Sequence, residues 1–170
     1  PKISTVCPLS TDGGLMTITC NIDNTKPLRQ DQLDLIDKML CSQSSQEFIL
    51  LPVNHGACLY IKKSAINIVG LFNEFMFGRG YSEEIDFCMR LRNHDLQNVG
   101  CCHSFIQHVG GISFGEESNP LKMKNRAIIS ELYPRYFSEV KAFSHNLVSS
   151  HYFSSVSAVV RNALADLNTK

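Results

Sequence analysis

Between Lys2 and Val53 the hydrophobic period of the chain changes twice, and this limits the possible folds more than any other feature. KISTVC (2–7) and EFILLPV (47–53) are rich in β-branched and aromatic residues, have strand length, and are bounded by proline or polar loops. Between them, RQDQLDLIDKMLC (29–41) places Leu33, Ile36, Met39 and Leu40 at helical spacing with acids on the other face. Strand, helix, strand predicts an α/β fold. GACLYI (56–61) continues as a further buried strand, and KKSAINIVG (62–70) as a short helix that Gly70 can end in a left-handed conformation. LFNEFMFGRGY (71–81) reads as a turn region. NVGCCHSFIQHVGG (98–111) alternates as a strand, with Val99, Cys101, His103, Phe105 and Gln107 on one side, and closes at Gly110 and Gly111. From about Asn119 the pattern is helical, with Leu132, Tyr136, Val140, Phe143 and Leu147 in one stripe and Pro134 as a helix start. The expected organisation is a domain over 1–145 and a helical extension over 146–170, whose Leu147, Tyr152, Phe153, Val156, Val159 and Val160 form an apolar surface in need of a cover.

A chain of 170 residues is too short for two ordinary domains, and 44% hydrophobic residues suffice for a core. Lys+Arg and Asp+Glu are both 16, so no net basic field exists to hold a phosphate backbone, and nucleic acid is disfavoured as a partner. No tract is long and apolar enough to span a membrane. Cys7, Cys20, Cys41, Cys58, Cys88, Cys101 and Cys102 are odd in number and include no C-x-x-C pair. They read as reduced thiols of a cytoplasmic protein, at most resting on the inner face of a membrane. The chain starts without Met in what reads as a strand, and is expected to be a piece of a longer protein.

The stretch FGRGYSEEIDFCMR (77–90) concentrates negative charge behind a glycine-rich turn. With Ser82 as N-cap, Glu83 and Glu84 fall in the first helical turn, where the helix dipole favours carboxylates whatever their function. At about 100° per residue, Ile85, Cys88 and Met89 form one apolar stripe and Phe87 with Leu91 a second. Asp86 can pair with Arg90 at i,i+4. Glu84 lies between the stripes without such a partner, and a half-buried carboxylate there is a candidate for proton transfer.

These residues carry a resemblance. GACLYIKKSAINIVGLFNEFMFGRGYSEEIDFCMRLR (56–92), followed by HVGGISFG (108–115), is similar to the segment in which inverting family 2 glycosyltransferases of the GT-A fold carry a G-x-G-x-E-D-x-D-x-x-x-R motif and a later His. The likeness covers about Pro1 to Phe143. It implies a partial GT-A, Rossmann-like mixed sheet with flanking helices and a helical C-terminal extension. It implies transfer of a sugar from a nucleotide-diphosphate sugar to a glycan or lipid-linked acceptor, with inversion. Glu84 falls on the catalytic base, where Asp is more usual, with Glu83 and Asp86 beside it. Gly80, Tyr81, Arg90, Gly110 and Gly111 fall on acceptor- or donor-binding positions, and His108 on a ligand of Mg²⁺ or Mn²⁺. The remaining acidic ligands are expected before Pro1, since NIDNT (21–25) follows the first strand and reads as a loop; Asp12, Gly13 and Gly14 shape a turn at the cleft edge. The fragment alone is expected to be inactive.

The alternatives are a non-catalytic glycan- or protein-binding module, in which the acids only start a helix and His108 is a strand-end residue bonded to a carbonyl, and a structural metal domain built on Cys101, Cys102, His103 and His108. Adjacent strand residues point to opposite faces, which weighs against the last.

Overall fold

The computed structural model describes residues 2–18, 27–43, 47–78, 80–109 and 118–168. Four strands, β1 (Ile3–Ser10), β2 (Phe48–Leu51), β3 (Tyr60–Ile61) and β4 (Gln97–Ile106), form one mixed sheet in the order β2-β4-β1-β3. β1 runs parallel to β4, while β2 and β3 pair antiparallel at the two edges. Among the described residues seven α-helices flank it: α1 (Gln30–Gln43), α2 (Lys63–Val69), α3 (Glu74–Phe77), α4 (Glu83–Asn93), α5 (Ser118–Leu132), α6 (Tyr136–Val148) and α7 (His151–Asn168). The α/β reading, with a mixed sheet and flanking helices, therefore holds.

Several local expectations are corrected. Of GACLYI only Tyr60 and Ile61 are strand, and Tyr60 is exposed: an edge of two residues has nothing to bury it. α3 interrupts the expected turn region, capped by the Asn73 side chain accepting from the Met76 amide at 3.1 Å. The alternation along β4 breaks. Two steps along β1, Cys7 to Leu9, correspond to five along β4, Gly100 to Phe105, and this bulge lets Cys102 and Phe105, three apart, both be buried. Gly70 does end α2 with φ 80°, its amide donating to Ile66 O, but at ψ −169° rather than in the left-handed helical well. α6 begins two residues after Pro134, and Leu132 is exposed, outside the buried stripe.

α7 packs against α1, and Phe153, Val156, Val159, Val160 and Ala163 share one core cluster with Leu9, Ile36, Leu40 and Phe105. The apolar stripe expected to need a cover is thus covered within the chain at Leu147, Phe153, Val156, Val159 and Val160, while the Tyr152 side chain lies outside what is described. The position expected as a domain boundary, residue 145, falls inside α6. A second cluster joins Val53, Phe77, Cys88, Ile129 and Tyr136, bringing α3, α4, α5 and α6 together, and a third sets Phe87 and Leu91 of α4 against Ala65 of α2. Behind α4 a buried polar web ties loop to sheet: Thr5 Oγ1 donates to Asn98 Oδ1 at 2.7 Å, Asn98 Nδ2 to the carbonyls of Pro52 and Cys88, and Asn54 Nδ2 to Val99 O at 3.0 Å.

Candidate active site

The first turn of α4, the loop after β2 and one face of α6 enclose a cavity of about 780 Å³. Tyr136, Phe137, Val140, Lys141, Ser144, His145 and Val148 recur every three or four residues and make its helical wall. Val53, Asn54, His55, Gly14 and Leu15 line it from the loops, and Glu84 and Ile85 from α4. Gly56 packs beside the acid, and even a Cβ there would be in ordinary contact with it, 3.8 Å from the Glu84 carboxyl carbon. Burial pushes the Glu84 carboxyl above the ordinary 4.5, against the pull of nearby backbone amides including those of Ile85 and Gly56.

Glu83 is half-buried, and one of its oxygens, Oε2, is buried without a hydrogen-bond partner among the described residues. Burial, and then the neighbouring Glu84 charge, raise its pKa as well. Of the three expected acids only Glu84 lines the cavity. Asp86, 4% exposed, is engaged elsewhere: Arg90 Nε donates to Oδ2 at 2.8 Å and Tyr133 hydroxyl to Oδ1 at 2.8 Å. Arg90 extends the same link, its guanidinium donating to the carbonyls of Val69, the last residue of α2, and of Leu71 just past it. The i,i+4 pair is present as its spacing implied.

Ser82 does not act as the expected N-cap. It sits at φ 78°, ψ −4°, with no side-chain hydrogen bond to the helix, and only its carbonyl joins the helix, accepting from the Asp86 amide at 3.1 Å. Gly80 and Tyr81 before it also have positive φ, 119° and 65°. The Tyr81 ring lies 4.7 Å below the Lys122 ammonium. Gly110, Gly111 and residues 21–25 fall outside the described residues.

His108 is held at the edge of the site. Its Nδ1 donates to Asp12 O at 2.9 Å, while its amide bonds Thr11 Oγ1. This is the backbone-satisfied geometry of a strand-end histidine, and in a neutral ring it also turns the lone pair to Nε2, as carbonyl-oriented ligands do. Its ring centroid is 6.2 Å from that of His55. His55, which the sequence reading did not single out, accepts from the Ala57 amide through Nδ1 at 3.2 Å, which places its proton on Nε2. Burial first, then the His108 charge, lower its pKa and keep it neutral near pH 7. No motif marks His55; only the fold brings residue 55 beside residues 84 and 108. Among the described residues no group of three His, Cys, Asp or Glu is placed to hold a metal ion. They do not by themselves form the metal site that the resemblance implies.

Fold and cavity together describe an α/β protein with a half-buried carboxyl group of raised pKa at a mixed apolar and polar cleft. Over 81 residues the chain is 35% identical to the low-salt glycan biosynthesis hexosyltransferase Agl10 of Haloferax volcanii, covering 46% of this chain and 25% of that protein. The chain thus spans about a quarter of that relative's length. No family model matches the chain, and no solved structure does.

Proposed function

We propose that this chain forms the acceptor side of a glycosyltransferase and that Glu84 is its base. The observation that carries the reading is the Glu84 carboxyl at the wall of the cavity, with a raised pKa, in a chain similar to a hexosyltransferase. The raised pKa suits a group that must take a proton from an alcohol and then release it.

In this reading the acceptor lies in the cavity with one hydroxyl against Glu84. The carboxylate takes the hydroxyl proton as the oxygen attacks the anomeric carbon of a nucleotide-diphosphate sugar; the new C–O bond forms as the bond to the diphosphate breaks, with inversion. His55, with its proton on Nε2, lines the same cavity and can orient the acceptor. The apolar wall of α6 suits a sugar face or an apolar part of the acceptor, and Lys141 with His145 one turn on gives that wall polar groups. Glu83 supports the acid pair, while Asp86 and Arg90 fix the helix that carries it. Mg²⁺ or Mn²⁺ at His108 Nε2 would supply charge stabilisation to the leaving diphosphate, with further ligands from outside the described residues.

The test is to incubate the full-length protein with a panel of nucleotide-diphosphate hexoses, Mn²⁺ and glycan or lipid-linked acceptors, and to follow release of the nucleoside diphosphate. Release that depends on acceptor is expected. Glycan binding without any release would replace this reading with that of a non-catalytic module.

A further inference from the structure

The turn that delivers the acid pair uses backbone conformations that L-residues avoid. Gly80, Tyr81 and Ser82 are consecutive at φ 119°, 65° and 78°, with Gly78 at 70° just before, and two of the four carry side chains. Such a run persists only where the surroundings over-determine it. Ser82 contributes no side-chain cap. The holding group comes from α5, where Asn125 is 0% exposed and its Nδ2 meets three carbonyls of this turn: Phe77 O at 2.8 Å, Gly80 O at 2.9 Å and Tyr81 O at 2.7 Å. Turned over, the amide would aim its oxygen at three carbonyls, so the neighbours fix its orientation. Its Oδ1 is buried with no hydrogen-bond partner among the described residues. An unpaired buried oxygen is unfavourable for stability alone, so the residue makes most sense through what its amide hydrogens hold. Lys122, one turn earlier on α5, covers the Tyr81 ring from the same helix.

We propose that Asn125 is a positioning residue for Glu84: by gathering the carbonyls of Phe77, Gly80 and Tyr81 it fixes the left-handed turn whose exit aims the Glu84 carboxylate into the cavity. The inference rests on the reading of Glu84 as the base. The clamp works at one remove from the chemistry, and what it controls is the angle at which α4 starts. A carboxylate displaced by an ångström no longer shares a proton with the acceptor hydroxyl. Glu84 is faced by Glu83 and Cys88 on its own helix, His55 from the loop after β2, and Tyr136, Lys141 and His145 on α6. Asn125 carries no charge, so replacing it changes the titration of Glu84 through the position and burial of the carboxyl rather than through a lost charge.

The experiment compares the full-length wild type with Asn125→Ala, Asn125→Ala/Ser82→Gly and, as control, Glu84→Gln. It measures kcat, donor KM, the pH dependence of the rate and the Glu84 carboxyl titration by carbon-13 NMR. Asn125→Ala is expected to lower kcat at least tenfold with donor KM changed less than twofold, and to bring the Glu84 midpoint down toward the ordinary value as the acid swings to water. Adding Ser82→Gly should recover at least threefold of kcat, because glycine takes positive φ without a clamp. An Asn125→Ala protein that melts earlier yet keeps kcat and both midpoints would overturn the proposal. Where Asn125→Ala yields no soluble protein, Asn125→Ser, which keeps one short donor, is read on the same scale. A wild type without product, or a fully active Glu84→Gln, removes the base reading; the carboxyl titration then decides alone, a midpoint moved by Asn125→Ala supporting the clamp and an unmoved one refuting it.

Discussion

Glu83 and Glu84 are the residues where function and stability oppose each other. Both carboxyls have folded-state pKa values raised above the ordinary 4.5, burial being the first cause in each. Between 4.5 and the raised value the native chain keeps protons that the unfolded chain has released, so their contribution is fully present below 4.5 and is lost as pH rises through the folded value. Glu83→Gln should therefore raise the melting temperature at neutral pH, with a gap from wild type that closes below about 4.5; thermal melts across that range would show it. A gap that widens on acidification would mean the carboxylate is stabilised in place. Glu84→Asp removes one methylene and withdraws the carboxylate by about 1.5 Å from the cavity. Turnover should fall by roughly 100-fold, the scale of a one-ångström misplacement, as steady-state kinetics would reveal.

At the scale of elements, α4 is held by a relay that the sequence showed only in part. Asp86 and Arg90 are one turn apart on a helix whose apolar stripes are plain in the order of residues, so their pairing and the burial of Phe87, Cys88 and Leu91 were legible. Tyr133, 47 positions away, was not, because its hydroxyl reaches Asp86 only once α5 and α6 are folded against α4. Nor was the entry to α4: Ser82 is a common capping residue, and nothing local signals that it will be left-handed instead, or that the distant Asn125 amide will bond the carbonyls of Gly80 and Tyr81 before it. His55 is hidden for the same reason. The relay predicts distinct losses. Tyr133→Phe removes one hydrogen bond to a buried carboxylate and should cost about 2 kcal/mol. Arg90→Ala strands Asp86 and frees the carbonyls of Val69 and Leu71, and should cost about 3 to 5 kcal/mol. Denaturant melts give both numbers, and equal, negligible losses would show that Asp86 is solvated rather than sealed.

For the whole molecule, the sheet, α1 and α7 share the main core cluster, with Phe153 inside it. Phe153→Ala should then cost about 3 to 5 kcal/mol, the range for emptying an aromatic site in a core, and should do so in one melting transition. A separate early transition would show α7 to be an independent appendage. Across the cavity the fold sets α6 against the start of α4, and the account of function stands on what one carboxylate does there. The most direct measurement is a single turnover with the full-length protein, comparing wild type with Glu84→Gln, an isostere that keeps size and loses basicity. Transfer to acceptor reduced by roughly 1,000-fold or more, at undiminished donor binding, is the result predicted for loss of a base at the upper end of its usual 10²–10⁴ contribution. Transfer at the wild-type rate would contradict it.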